Sequence, residues 1–125
     1  MNKVQFPEMR NELIESLRGL SDIEYQKRIW INARSEGSIQ HDEFDYVVHF
    51  LFDDTSLATD PDSLIGVILK NFDEVAIIKP VIEALGELFD ALGLDRTDEE
   101  YVKSTEWSSV VNAAKIAYAK ISANN

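Results

Sequence analysis

The sequence predicts an all-α fold, a single irregular bundle of about five to seven helices over residues 1–125. Apolar residues recur at steps of three and four along most of the chain, which places them on one face of a helix. Cap residues and prolines stand where these patterns begin, and a glycine stands where the longest one ends. No repeat or linker divides the sequence. With 125 residues and 45% hydrophobic content, the chain can bury one core.

Two helices are predicted in the first third of the chain. The first begins at Pro7, because the missing N–H of proline costs nothing in a first turn. The second covers about 21–33, since Ser21 and Glu24 have the spacing of a capping box, and it would turn Trp30 toward the core. The apolar face of the first helix is formed by Met9, Leu13, Leu17 and Leu20.

Two shorter helices are predicted in the middle. One covers about 41–52, and its β-branched and aromatic residues leave a strand as the alternative. The other is opened by Asp60 as N-cap and Pro61 in the first turn, and it runs through Leu69. The apolar side of the first is formed by Phe44, Val47, Val48 and Leu51.

The strongest helix is predicted from Asn71, with Glu74 as its capping partner, to a stop at Gly93. Pro80 lies inside this pattern. It removes one backbone hydrogen bond and crowds the preceding turn, so we expect it either to kink the helix or to split it. The apolar positions of this helix are Val75, Ile78, Ile82, Leu85, Phe89 and Leu92.

The last third predicts another capping box and a final helix. Thr97 and Glu100 have the capping-box spacing, and the final helix begins near Thr105. Its core-facing positions are Trp107, Val110, Val111, Ala114, Tyr118 and Ile121.

The composition excludes several classes of partner and site. A net charge of −11 opposes direct binding of nucleic acid, whose phosphates are bound through Lys and Arg, and of anionic membrane surfaces. Without Cys there is no disulfide, thiolate nucleophile or Cys-based metal site. Because the sequence has neither a signal-peptide pattern nor an apolar run of membrane-spanning length, we expect a soluble cytoplasmic protein.

The negative charge is concentrated in the middle of the chain, in what we call the acidic block. Residues 35–69 contain eight carboxylates and no Lys or Arg. A solvated face with some helix caps is one interpretation. We favour an interface, because a like-charged surface repels itself and a cationic partner would supply the missing charge. The block consists of Glu36, Asp42, Glu43, Asp45, Asp53, Asp54, Asp60 and Asp62.

Local structural roles narrow the candidates for partner contact. Asp60 is a predicted cap, and Asp42 and Glu43 suit the positive end of a helix dipole. Exposed aromatic residues beside the block would form the apolar centre of an interface with a charged rim, and Tyr46, Phe50 and Phe52 are the candidates. The candidate partner-binding residues are Asp45, Asp53, Asp54, Asp62, Glu36, Asp42, Glu43 and Tyr46.

No pattern in the sequence predicts catalysis. There is no phosphate-binding loop, nucleophile elbow, zinc-protease motif or dinucleotide fingerprint, so we expect neither an enzyme nor a cofactor. The clustered carboxylates lack the spacing of a calcium loop, and no metal site is predicted. His41 and His49 lie two helical turns apart, too far to share one ion, and we expect His49 to be a partly buried structural residue.

Several segments resemble a largely uncharacterised family of small acidic bacterial proteins, over about residues 10–120. The most distinctive is the HFLFDDT run at 49–55, followed by Asp60-Pro61, by LIG at 64–66 and by WSSVV at 107–111. Proteins of this kind are often immunity proteins of toxin–immunity pairs, including contact-dependent growth inhibition systems. The resemblance implies that the chain binds a cognate toxin domain, commonly a basic nuclease, and blocks its active site or substrate groove.

The leading hypothesis is therefore a non-enzymatic immunity protein that neutralises a basic toxin through the acidic surface of residues 36–62. A first alternative is a small-molecule or regulatory binding domain whose helices enclose a pocket. A less favoured one is a hydrolase that uses clustered carboxylates and a divalent cation. The sequence leaves the oligomeric state open.

Overall fold

A computed structural model describes residues 4–28 and 43–124 and confirms the all-α class. Six α-helices and no β-strand occur among these residues. The helices are α1 (Pro7–Ser21), α2 (Ile23–Tyr25), α3 (Glu43–His49), α4 (Phe72–Leu92), α5 (Asp98–Val102) and α6 (Trp107–Ala123). None of these helices is long and apolar enough to cross a membrane.

The core lies where α6 packs against both α1 and α4. The predicted apolar faces of α1 and α6 are buried, with Met9 and Tyr118 half-buried at their edges. The buried stripe of α4 is rotated from the predicted one: Val81 and Leu88 are fully buried, whereas Ile82 is half-buried. α4 is apolar on more than one side, so its neighbours, rather than its period, decide which side is covered.

Pro80 does not split its helix, because α4 is continuous across it. Proline removes the backbone hydrogen bond to the carbonyl four residues earlier, which belongs to Ala76. Both residues are exposed, so water can satisfy that carbonyl. A proline on the outer face is therefore compatible with an unbroken helix.

The predicted capping box at Ser21 is wrong. Ser21 is the last residue of α1, and its hydroxyl donates to the carbonyl of Arg18 at 2.8 Å. Asp22 caps the next turn instead, since its carboxylate accepts the Tyr25 N–H at 3.1 Å. The remainder of that predicted helix, including Trp30, lies outside the described residues.

In the middle of the chain, the helix prediction is confirmed over the strand alternative. α3 continues into a π-helical turn, Phe50–Asp54. The helix predicted from Asp60 is shorter than expected: a 3₁₀ turn covers Pro61–Leu64, and the Asp60 side chain makes no capping bond. The β-branched residues that follow disfavour a longer helix, and Gly66 turns the chain with a φ of 86°.

The remaining caps agree with the sequence. Asn71 accepts the Glu74 N–H at 3.1 Å, and Gly93 ends α4 with a φ of 84°. Thr97 and Glu100 form the reciprocal capping box of α5, and the Thr97 N–H lowers the pKa of the Glu100 carboxyl.

Glu74 does not complete the box at Asn71 because its side chain is used elsewhere. It is fully buried and binds Arg10 of α1 through two hydrogen bonds of 2.8 Å each. Arg10 also donates to the carbonyls of Ile68 and Ile121. One guanidinium therefore joins α1, α4, the end of α6 and the turn before α4.

A second buried polar residue joins the two ends of the fold. Gln26 is fully buried and donates to the carbonyls of Gly19 and Leu20, which α1 itself leaves without helical partners. Its side-chain oxygen accepts the indole N–H of Trp107 at 2.9 Å. The residue after α2 thus caps α1 and fixes the first residue of α6.

Candidate partner-binding surface

The described part of the acidic block lies on α3, on its π-helical turn and on the following 3₁₀ turn. Glu36 and Asp42 lie outside the described residues. Glu43 and Asp45 belong to α3 by their backbone, and their side chains are not described. The predicted residues whose side chains can be placed are Tyr46, Asp53, Asp54 and Asp62, all of them exposed.

α3 separates two hollows. Tyr46 and Val47 face a hollow of about 340 Å³ against α1, which we call the tyrosine hollow. Val48 and Phe52 line the second hollow, against α4 and α5. Successive residues of a helix are about 100° apart, so one helix can serve both hollows.

The tyrosine hollow is predominantly acidic. The Tyr46 hydroxyl donates to the carboxylate of Glu12, although half of the Tyr46 side chain remains exposed. Glu15 and Arg18 pair at 3.0 Å on the rim. Glu12 and Glu15 of α1 therefore lie beside Tyr46 and extend the acidic surface. The sequence alone did not indicate this, because more than 30 residues separate these acids from Tyr46. The charged residues that line this hollow are Glu12, Glu15, Arg18 and Asp22.

The second hollow, which we call the aromatic pocket, has a volume of about 360 Å³. Phe44 is its most deeply buried ring. The centroid of this ring lies 6.1 Å from that of Phe89 and 5.1 Å from that of Tyr101. Phe52 stands edge-on to Phe89 at 6.2 Å. The apolar lining consists of Phe44, Val48, Phe52, Phe89, Leu94 and Tyr101.

Charged groups stand at the rim of the aromatic pocket. Asp53 and His49 face each other, with Oδ2 and Nδ1 2.6 Å apart. His49 is more than half exposed, so the expectation of a partly buried imidazole is wrong. The reason is that α3 turns the next two residues, Phe50 and Leu51, into the core.

The other two acids differ from Asp53 in their surroundings. Asp54 is exposed, and its side chain makes no hydrogen bond or ion pair with any described residue. Asp62 lines a third hollow together with Asp60, Lys79 and Glu83. Lys79 belongs to α4 and lies outside the acidic block in the sequence. In the fold it lines the same hollow as Asp62 and brings a positive charge to this end of the block. Asp53 and Asp62 thus lie on different hollows.

No three His, Asp or Glu side chains of residues 4–28 and 43–124 come together in a group that could hold a metal ion. The aromatic pocket was missed by the sequence reasoning, because its walls come from α3, α4, α5 and the loop before α5. The one local signal in the sequence was a leucine, Leu94, directly after the helix stop at Gly93. The structure shows that this leucine is exposed.

A family described as "Domain of unknown function (DUF7945)" matches residues 4–125. No curated protein and no solved structure matches the chain.

Proposed function

We propose that this chain, which belongs to the DUF7945 family, is an immunity protein that binds and neutralises a cognate basic toxin domain without catalysis. Its binding surface would be α3 with its π-helical turn, together with the acids on either side. The resemblance of the HFLFDDT segment to small acidic immunity proteins supports this proposal.

The observation that carries the proposal is the lack of any Lys or Arg within the acidic block. Asp54 and Asp62 form no ion pair with the described residues, in a chain with a net charge of −11. Some exposed charges elsewhere are paired, as Lys103 is with Glu99 at 2.6 Å, and others such as Glu87 are not, but only the acidic block combines eight carboxylates with no Lys or Arg. Unpaired surface charge of one sign favours a partner of the opposite sign and speeds its approach.

Tyr46 supplies the uncharged part of such a surface. Its ring is half exposed and its hydroxyl is oriented by Glu12. Tyrosine is enriched at interface centres because it combines apolar area with a polar tip at low entropic cost. An interface of this kind has an aromatic centre and an acidic rim.

Copurification with the product of the adjacent gene tests the proposal. We expect a complex whose dissociation constant rises at least tenfold when the Asp54→Lys/Asp62→Lys variant replaces the wild type, because close opposite charges couple strongly across interfaces. The complex should also weaken between 50 and 500 mM salt, since the Debye length shortens to a few ångströms.

The matched control is Glu87→Lys/Asp90→Lys, which changes the net charge equally on exposed positions of α4. Equal weakening by both variants would mean that net charge, and not this surface, drives binding. Absence of any copurifying partner would contradict the proposed function itself.

The aromatic pocket favours a second candidate, a small-molecule binding domain. Its volume of about 360 Å³ lies at the lower end of ligand sites, which span roughly 300–1,000 Å³. Apolar walls with a few polar groups at the rim are typical of such sites. Saturable stabilisation of the chain by a neutral metabolite in a thermal melt would support this candidate over the first.

A further inference from the structure

The walls of the aromatic pocket leave apolar surface uncovered. Phe44 and Tyr101 are buried, but Phe52 and Phe89 are only half-buried, and Leu94 is 74% exposed. The pocket is therefore a floor of aromatic rings with an aliphatic side chain at its edge. An occupant with a long apolar stem would cover this surface.

The charges at the rim select the head group of that occupant. Asp53 and Asp98 are the carboxylates that line the pocket, and Arg96 is its lining guanidinium. Arg96 is already engaged, since its Nε donates to the Leu92 carbonyl at 3.0 Å and its Nη1 to Glu100 at 3.3 Å.

The carboxylate of Asp53 is the acceptor at the rim of the pocket. Asp53 uses Oδ2 for His49, and its Oδ1 makes no hydrogen bond within the described part of the chain. An oxygen at the rim thus remains able to accept.

We propose that the aromatic pocket receives an arginine side chain of the basic partner, with the guanidinium against the Phe52 and Phe89 rings and a hydrogen bond to Asp53. This inference rests on the proposed function, because it names the group by which the partner is held. Arginine fits better than lysine, since its planar guanidinium stacks on aromatic faces and sheds water more easily than an ammonium. Its aliphatic stem would lie along Leu94.

A titration that needs no partner protein tests the site. The probe is N-acetyl-L-arginine amide, and its neutral isostere N-acetyl-L-citrulline amide is the comparison, both added to the ¹⁵N-labelled full chain. We expect saturable shifts of the amide signals of 48–53 and 94, with millimolar affinity, and binding of the citrulline probe at least fivefold weaker.

Variants of single residues test whether the arginine probe binds in the pocket or is attracted only by the negative charge of the protein. Asp53→Asn should weaken binding of the arginine probe at least threefold, whereas Asp73→Asn, at an exposed carboxylate outside both the pocket and the acidic block, should leave it unchanged. Leu94→Ser should weaken it too, and because Leu94 is exposed the fold is expected to persist, which the amide spectrum checks.

Equal binding of the two probes, equal effects of Asp53→Asn and Asp73→Asn, or no saturable shift would each overturn the proposal. These results are independent of the copurification experiment. If a partner copurifies but the arginine probe does not bind, the pocket proposal alone fails. If the probe binds and no partner copurifies, the immunity proposal fails, and the pocket remains a guanidinium site whose ligand is not a toxin.

Discussion

Arg10 and Glu74 form a buried ion pair with two parallel hydrogen bonds of 2.8 Å, although 64 residues separate them in sequence. Arg10 is 2% exposed and Glu74 is not exposed at all. The guanidinium also donates to the backbone carbonyls of Ile68 and Ile121. Buried charges are tolerated only when they are paired and hydrogen-bonded to this extent.

Removing one partner of this pair should destabilise the protein strongly. We expect Arg10→Met to lower the free energy of unfolding by about 3–5 kcal/mol, because it leaves the Glu74 carboxylate buried without a counter-charge. The Arg10→Met/Glu74→Gln variant should lose clearly less than the sum of the single losses. Urea unfolding followed by circular dichroism measures all of these.

The exposed pair Arg18–Glu15, 3.0 Å apart, provides the control. Arg18→Met should cost less than about 1 kcal/mol, since surface ion pairs contribute little. Strict additivity in the Arg10/Glu74 cycle would show that the two side chains are not coupled.

Stability should fall in acid through Glu74. Burial raises the pKa of this carboxyl, but the hydrogen bonds from Arg10, Lys70 and Asn124 bring it below its ordinary value of 4.5. The unfolded chain then binds the proton at a higher pH than the folded chain, so protonation favours unfolding. The stabilisation is complete above about pH 4.5 and is lost as the pH falls through the folded-state pKa.

Urea unfolding of the wild type and of Glu74→Gln between pH 7 and pH 3 tests this expectation. The difference in their free energies of unfolding should be constant at neutral pH and should narrow below about pH 4.5. A difference that stays constant down to pH 3 would assign the acid sensitivity to other carboxylates.

Replacement of glycine by alanine should have opposite effects on stability at Gly86, inside α4, and at Gly93, directly after it. Gly93 has a φ of 84°, which an alanine adopts only with strain, so Gly93→Ala should destabilise by about 1 kcal/mol. Gly86 lies inside the helix, where an added Cβ would meet no atom within 4 Å. Gly86→Ala should therefore stabilise by up to about 1 kcal/mol. Thermal melts of the two variants should shift in opposite directions, and shifts of the same sign would contradict this reading of the helix end.

Gln26 should matter far more than its polar character suggests. Gln26→Met removes two donors to α1 carbonyls and the acceptor for Trp107, so we expect a loss of roughly 2 kcal/mol or more. The control is Gln5→Met, the same substitution at an exposed side chain. Urea unfolding should separate the two clearly, and a similar midpoint for both would show that the Gln26 bonds contribute little.

Local features of this fold could be predicted from the sequence, because they depend on residues within a few positions of each other. The Asn71 cap, the Gly93 stop and the Thr97–Glu100 capping box are of this kind. Ser21 shows the limit of such spacing rules. It has Glu24 at the capping-box distance, but α1 extends through Ser21 and Asp22 therefore caps the next turn.

Partnerships across the chain could not be predicted. Nothing in the sequence around Arg10 distinguishes it from an ordinary surface arginine, and its role depends on a glutamate 64 residues away. The aromatic pocket has the same origin, since Phe44, Phe89 and Tyr101 meet only when three helices pack. For the candidate surface, the sequence supplied the carboxylates, while their separation onto different hollows required the structure.

The contact between α1 and α6 also sets the earliest time at which the core of this fold can form during synthesis. Arg10 and Ile121, which it joins, are 111 residues apart, and at roughly 5–20 residues per second the ribosome needs roughly 6–20 s to make the intervening chain. An isolated helix of 15 residues is only marginally stable in water. Until α6 is made, the apolar face of α1 therefore lacks the helix that covers it in the fold. The core between α1 and α6 can therefore form only after α6 has been made, near the end of synthesis of these 125 residues.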